Sequence, residues 1–213
     1  MAAKLRVCRR SRPCHRAFIG GPTGPPAIHQ TDAMPSPSAS RPAREKLVAG
    51  ALEGYEPEVG AALWRLEDAR DRTLRTLAGL PARDVDRPTG GNSIGSILYH
   101  VALIEVDWLF SEILEEDPPA ELAALFPVEH RDEAGILSVL AGESLDDHLA
   151  RLARVRAVML ERLLGTTTAD LHRPRTLPAY DVTPAWVLHH LAQHEAEHRA
   201  EIGAALQRFT AGG

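Results

Sequence analysis

From about Tyr55 onward, apolar residues recur at three- and four-residue intervals and mark out four helical segments. The first runs from Tyr55 to Gly79, with Val59, Leu63, Leu66, Thr73 and Leu77 on one stripe and a stop at Gly79 and Pro81. The second opens after Thr89-Gly90-Gly91 with Asn92 or Ser93 as its cap and runs to Glu116, where Asp117-Pro118-Pro119 ends it. The third is capped by Ser144 with Asp147 three residues on, and carries Leu145, Leu149, Leu152, Met159 and Leu163 to Gly165. The fourth starts at Thr183-Pro184, a cap followed by a first-turn proline, and extends to Phe209. Between the second and third lies a crossover, 117–143, in which Leu122, Leu125, Phe126, Ile136, Leu137 and Leu140 predict short helical pieces laid on the bundle. The expected fold is all-α, a four-helix bundle with a long crossover between helices 2 and 3.

Composition agrees with that pattern. Aromatic residues make up only 5% of the 213 residues, while 44% are hydrophobic, enough for one domain core spanning residues 43–213. Residues 1–42 differ: Gly20-Gly21-Pro22, Gly24-Pro25-Pro26 and Pro35-Ser36-Pro37-Ser38 interrupt any periodicity, so this stretch is expected to be a disordered tail, with Met34 an alternative start. Both cysteines, Cys8 and Cys14, fall in that tail and cannot staple the core, which fits a reduced, cytoplasmic protein. No apolar run is long enough to span a bilayer, and no apolar stretch follows Arg9, Arg10 and Arg12 to make a secretory signal. A net charge of −5 without long like-charge runs argues against nucleic acid as a partner. Small-molecule chemistry is what these exclusions leave.

Candidate chemistry lies in the histidines. At about 100° per residue, His194 and His198 fall within the apolar arc of Val187, Leu191, Ile202, Ala205 and Phe209, and His100 falls beside Ile97, Ile104 and Trp108. A lone core histidine is more often hydrogen-bonded to a carbonyl or carboxylate than a ligand. Three on facing core stripes are costly to bury unless a shared cation satisfies their nitrogens, and an i,i+4 pair on one helix can converge on one ion. The string His194-Glu195-Ala196-Glu197-His198 formally matches HExxH, but no third ligand follows it, so the third is expected on helix 2. His190 and Glu201 lie at the edge of the same arc and are the candidate proton handlers; Asp107 is a further candidate, with a solvated surface role the alternative. His130, His148, His172 and His189 are read as ordinary polar residues.

These residues carry a resemblance. Ser93-Ile94-Gly95-Ser96-Ile97-Leu98-Tyr99-His100 with Glu105 and Trp108, then Thr183-Pro184-Ala185-Trp186-Val187-Leu188-His189-His190-Leu191 leading into His194-Glu195-Ala196-Glu197-His198-Arg199, resemble the DinB-like (DinB/YfiT) superfamily over residues 50–210. The resemblance implies a four-helix bundle, commonly a homodimer, with metal ligands corresponding to His100, His194 and His198. Its characterised members include bacillithiol- and mycothiol-dependent transferases and maleylpyruvate isomerase. Members typically continue HHRGQ, whereas here Glu197 precedes His198 and Ala200-Glu201 follow Arg199, which leaves the chemistry near Glu201 open.

The expectation is therefore one divalent metal ion, zinc or nickel, serving transfer of a small-molecule thiol to an electrophilic substrate. The alternatives are a non-catalytic stress protein that binds metal or a small molecule, and a helical dimerisation scaffold. Tyr99, Leu103, Val106, Phe110 and Ile113 form a second apolar stripe on helix 2, to be covered either by a homodimer partner or by the crossover.

Overall fold

Proline and capping residues set the helix starts much as the sequence pattern expects. In the computed structural model, which describes residues 47–88, 91–131 and 136–211, α1 spans Pro57–Leu77 with Pro57 in its first turn, and Gly79 beyond its end adopts φ +80°. Helix α2 spans Ile94–Trp108, and its cap Ser93 accepts from the Ser96 amide at 3.1 Å. Beyond a short α3 (Ala120–Ala123), α4 spans Leu145–Arg162 and opens with a capping box in which the Ser144 and Asp147 side chains serve each other's backbone amides. Helix α6, Pro184–Ala211, follows α5 (Thr168–His172) and a two-stranded antiparallel pair, β1 (Arg175–Thr176) and β2 (Asp181–Val182). The tail expected at 1–42, with Cys8, Cys14 and Met34, lies outside the described residues.

The bundle is built around α2, in which every residue from Ile94 to Val106 is buried. It packs on α4 and α6, and α1 packs on α6. Val59, Leu63 and Leu66 of α1, Leu152, Val155 and Met159 of α4, and Val187, Leu188 and Ile202 of α6 close the core. Each such burial contributes on the order of 1.5–3 kcal/mol. The second apolar stripe of α2 is covered from within the chain. Tyr99 stacks edge-on against Phe126, and its hydroxyl donates to the Val128 carbonyl at 2.5 Å; Leu103, Val106, Phe110 and Ile113 are all buried. That stripe therefore gives no support to a homodimer.

Three features depart from the sequence pattern. Past Trp108, α2 continues through Leu109–Leu114 as a π-helix that ends on Glu115 at φ 57°, with the Glu116 amide donating to the Phe110 carbonyl at 2.9 Å. Wide turns of this kind recur at functional sites. In the crossover, Leu122, Phe126 and Leu137 are buried as expected, but Ile136 is exposed, and α3 is the helix found among the described residues there. The β1–β2 pair was not foreseen. It is anchored by the buried Arg175, whose Nε donates to the Ile113 carbonyl at 3.1 Å.

Charged residues also enter the core. Arg70 of α1 donates to Glu195 of α6 and to Glu105 of α2, both at 2.8 Å, and Arg156 of α4 donates to the two Glu105 oxygens at 2.6 and 3.1 Å and to Glu67 of α1 at 2.6 Å. Arg156 also approaches Glu195 at 3.4 Å. One cluster thus ties all four long helices. Burial pushes the Glu105 carboxyl up, but the two guanidiniums outweigh it and hold the group below its ordinary range.

Candidate metal centre

Helices α2 and α6 run antiparallel along a shared seam, since His100 faces His194 and His198 while Trp108 faces His190 and Trp186. At the first of these levels three imidazoles converge. His194 Nε2 lies 3.1 Å from His100 Nε2 and 3.1 Å from His198 Nε2. Ligands about 2.0–2.1 Å from a tetrahedral ion stand about 3.3 Å apart, so this spacing suits a common centre. The rings meet at 57°, 80° and 81°, splayed around that point instead of stacked. Among the described residues this is the group of three histidine, cysteine or acidic side chains placed to hold a metal ion, with all ligand atoms within 4.8 Å of one another.

The hydrogen-bond account shows why the cluster is incomplete alone. A neutral imidazole carries one N–H and one acceptor nitrogen. His194 Nε2 can therefore donate once or accept once, and only one of its two 3.1 Å contacts can be an N–H···N bond. Protonation offers no way out. Burial, then the neighbouring His194 and His198 rings and the Arg131 charge, pushes His100 down to about 2; burial and the His198 and His190 rings push His194 down to about 3. Both are neutral at physiological pH, the state in which imidazole binds a metal. His100, 3% exposed, also leaves Nδ1 without a partner. The residues present fit a divalent ion.

Around the triad, Glu201 lies one turn beyond His198, its Oε2 3.5 Å from His198 Nδ1, and that facing nitrogen holds the carboxylate below its ordinary range. His190 does not reach the convergence point. Its ring stands 6.0 Å from His194 and stacks on Trp186 and Trp108. Asp107 lines a cleft of about 70 Å³ with Glu129 and His130, and burial, with Glu129 adding, pushes its carboxyl up.

Two residues beside the triad escaped the sequence reading. His130 tilts against His100 at 5.9 Å, and Arg131 puts positive charge beside the triad; both come from an aperiodic crossover that gives a sequence no facing argument. His148, read as an ordinary polar residue, is 1% exposed and lies against Arg151 at 3.2 Å. Glu195, the acid of the formal HExxH string, turns away from the histidines into the arginine cluster and is not available as a general base.

Fold and site together define a helical bundle with an all-histidine cluster that could hold a metal ion. The chain belongs to the DinB superfamily, whose family model matches residues 65–202. No curated protein matches it. No helix among the described residues is long and apolar enough to cross a membrane.

Proposed function

We propose that this protein binds one divalent ion, zinc or nickel, on His100, His194 and His198, and uses it to transfer a low-molecular-weight thiol to an electrophilic small molecule. The observation that carries the reading is the convergence of three Nε2 atoms whose contacts cannot all be satisfied by hydrogen bonds. A divalent ion on three imidazoles keeps an open coordination position and supplies Lewis acidity that favours the thiolate of a bound thiol. The chain's own residues handle the rest. Glu201, held below its ordinary range beside His198 Nδ1, is placed to orient that imidazole and is the candidate acceptor of the proton that leaves the thiol. His190, kept neutral chiefly by burial, lines the approach to His194 and is the second candidate for moving a proton. Cytoplasmic residence and a homodimer belong to the same reading, and sedimentation equilibrium returning a monomer removes the latter.

Metal analysis of the purified full chain beside His194→Ala is the test. One ion per wild-type chain and none in the variant is expected, followed by thiol-dependent product formation across a panel of electrophiles. Wild-type protein that retains no divalent ion sinks the whole reading. An ion that stays bound with no thiol-dependent turnover removes the transferase and leaves a metal- and ligand-binding stress protein.

A further inference from the structure

Below the triad, the seam between α2 and α6 carries a strip of rings that proton transfer does not use in full. His190 lies 4.5 Å from Trp108 and 4.9 Å from Trp186, and the two indoles are 5.6 Å apart, with interplanar angles of 31°, 9° and 24°. Trp186 is 49% exposed, on the first turn of α6. A half-exposed indole that continues a stack of rings is a surface on which a further planar ring can lie.

Charge narrows the ligand. Glu197, two turns further along the same helix, acts on the His190 ring against the weaker effect of His189. A carboxylate near electron-rich ring faces favours a cation over an anion. Trp186 and His194 are separated by eight residues of α6, about 12 Å of rise.

We propose that the Trp108–His190–Trp186 strip is a subsite for a planar aromatic ring, neutral or cationic, on a ligand whose other end reaches His100, His194 and His198. The part of this that concerns the reactive end rests on the metal-centre reading above; the ring subsite does not. Its geometry makes the favoured substrate an elongated molecule with the ring and the reacting atom up to about 12 Å apart.

The test titrates the full chain with three probes: N-methylquinolinium, naphthalene-2-sulfonate and tetramethylammonium, followed by calorimetry and by tryptophan fluorescence in a Trp64→Phe background that leaves only the two strip indoles. Saturable binding of the planar cation is expected, about ten-fold or more tighter than either the planar anion or the non-planar cation. Trp186→Ala weakens it about ten-fold, and Trp186→Phe, which keeps a ring, holds it within about three-fold. His194→Ala leaves ring binding in place even where metal is lost, so the two readings fail separately. Equal affinity for the three probes overturns the subsite, as does an unchanged affinity in Trp186→Ala. So does conversion of a dimer to a monomer by that substitution, because a second copy would then be what covers the indole.

Discussion

His194 and Glu195 are neighbours in the chain, yet they belong to two buried polar clusters that differ in one respect. Around Glu195, every charge meets its opposite: Arg70 and Arg156 fork between Glu105 and Glu195, and Glu67 closes the outer edge. Around His194, like groups meet like groups, and nitrogens are left with no partner that hydrogen bonding can supply. A cluster that satisfies itself holds helices in register; a cluster that does not is waiting for something from outside the chain. Burial alone, which the two share, does not separate structure from site.

The largest effect should come from breaking the self-satisfied cluster. Glu195→Ala leaves two guanidiniums facing one interior carboxylate, and removal of one partner of a buried pair typically costs about 3–5 kcal/mol. Urea unfolding should show that loss, with Glu195→Gln intermediate, while the folded fraction still binds metal at wild-type stoichiometry. If Glu195→Ala instead abolishes metal binding in protein that remains folded, the two clusters act as one and the contrast drawn here is wrong.

One position earlier the expectation reverses. His194→Ala in the metal-free chain removes a ring that has no full set of partners, so apo stability should change by under about 1 kcal/mol. What disappears is the stabilisation by ligand: wild-type protein gains about 4 kcal/mol at free metal a thousand-fold above Kd, and the variant gains none. Thermal unfolding with and without zinc reads both quantities. An equal zinc-induced shift in His194→Ala places the ion elsewhere.

Acidity separates the clusters next. His100 and His194 titrate far below the ordinary histidine value of 6.5 in the fold, so the unfolded chain binds more protons, and stability present above pH 6.5 is lost as pH falls toward about 3 and then 2. The slope is at most about 1.4 kcal/mol per pH unit per ring. Glu105, held below the ordinary 4.5, contributes nothing to the slope until pH drops beneath that value. Urea midpoints of the metal-free chain between pH 7 and pH 5 should therefore fall in wild type, fall less steeply in His100→Gln, and flatten when His194 is replaced as well. A full slope that survives with both rings replaced assigns the acid sensitivity to other groups, with the buried His148 the first to examine.

The same contrast explains what could be read from the sequence. Both histidine positions of α6 and the one on α2 sit on apolar stripes of long, well-capped helices, where 3.6-residue periodicity fixes which way a side chain faces; the triad was legible for that reason. Arg70 lies between Leu66 and Thr73, and Arg156 between Leu152 and Met159, on stripes just as regular, but a charge there looks like an interruption until its partners on three other helices are known. Pairing across helices is non-local information. So is the covering of Tyr99 by Val128 and Phe126, which the pattern left open between the crossover and a second chain. Strands of two residues, as in β1 and β2, carry too few positions for any alternation to register.

Glu67 marks where the charged cluster meets solvent, and it offers the finest test. Its carboxylate accepts from Arg156 at 2.6 Å, a length that alone would suggest a strong bond, yet its side chain is 40% exposed where those of Glu105 and Glu195 are 4% and 2%. Water screens the pair and already solvates the acid, so Glu67→Gln should cost under about 1 kcal/mol. Arg156 keeps both Glu105 oxygens in that variant, so no interior charge is stranded. A loss in urea unfolding that matches Glu195→Ala would mean that short geometry, not exclusion of water, sets the worth of these contacts, and the distinction between interior and rim would have to be given up.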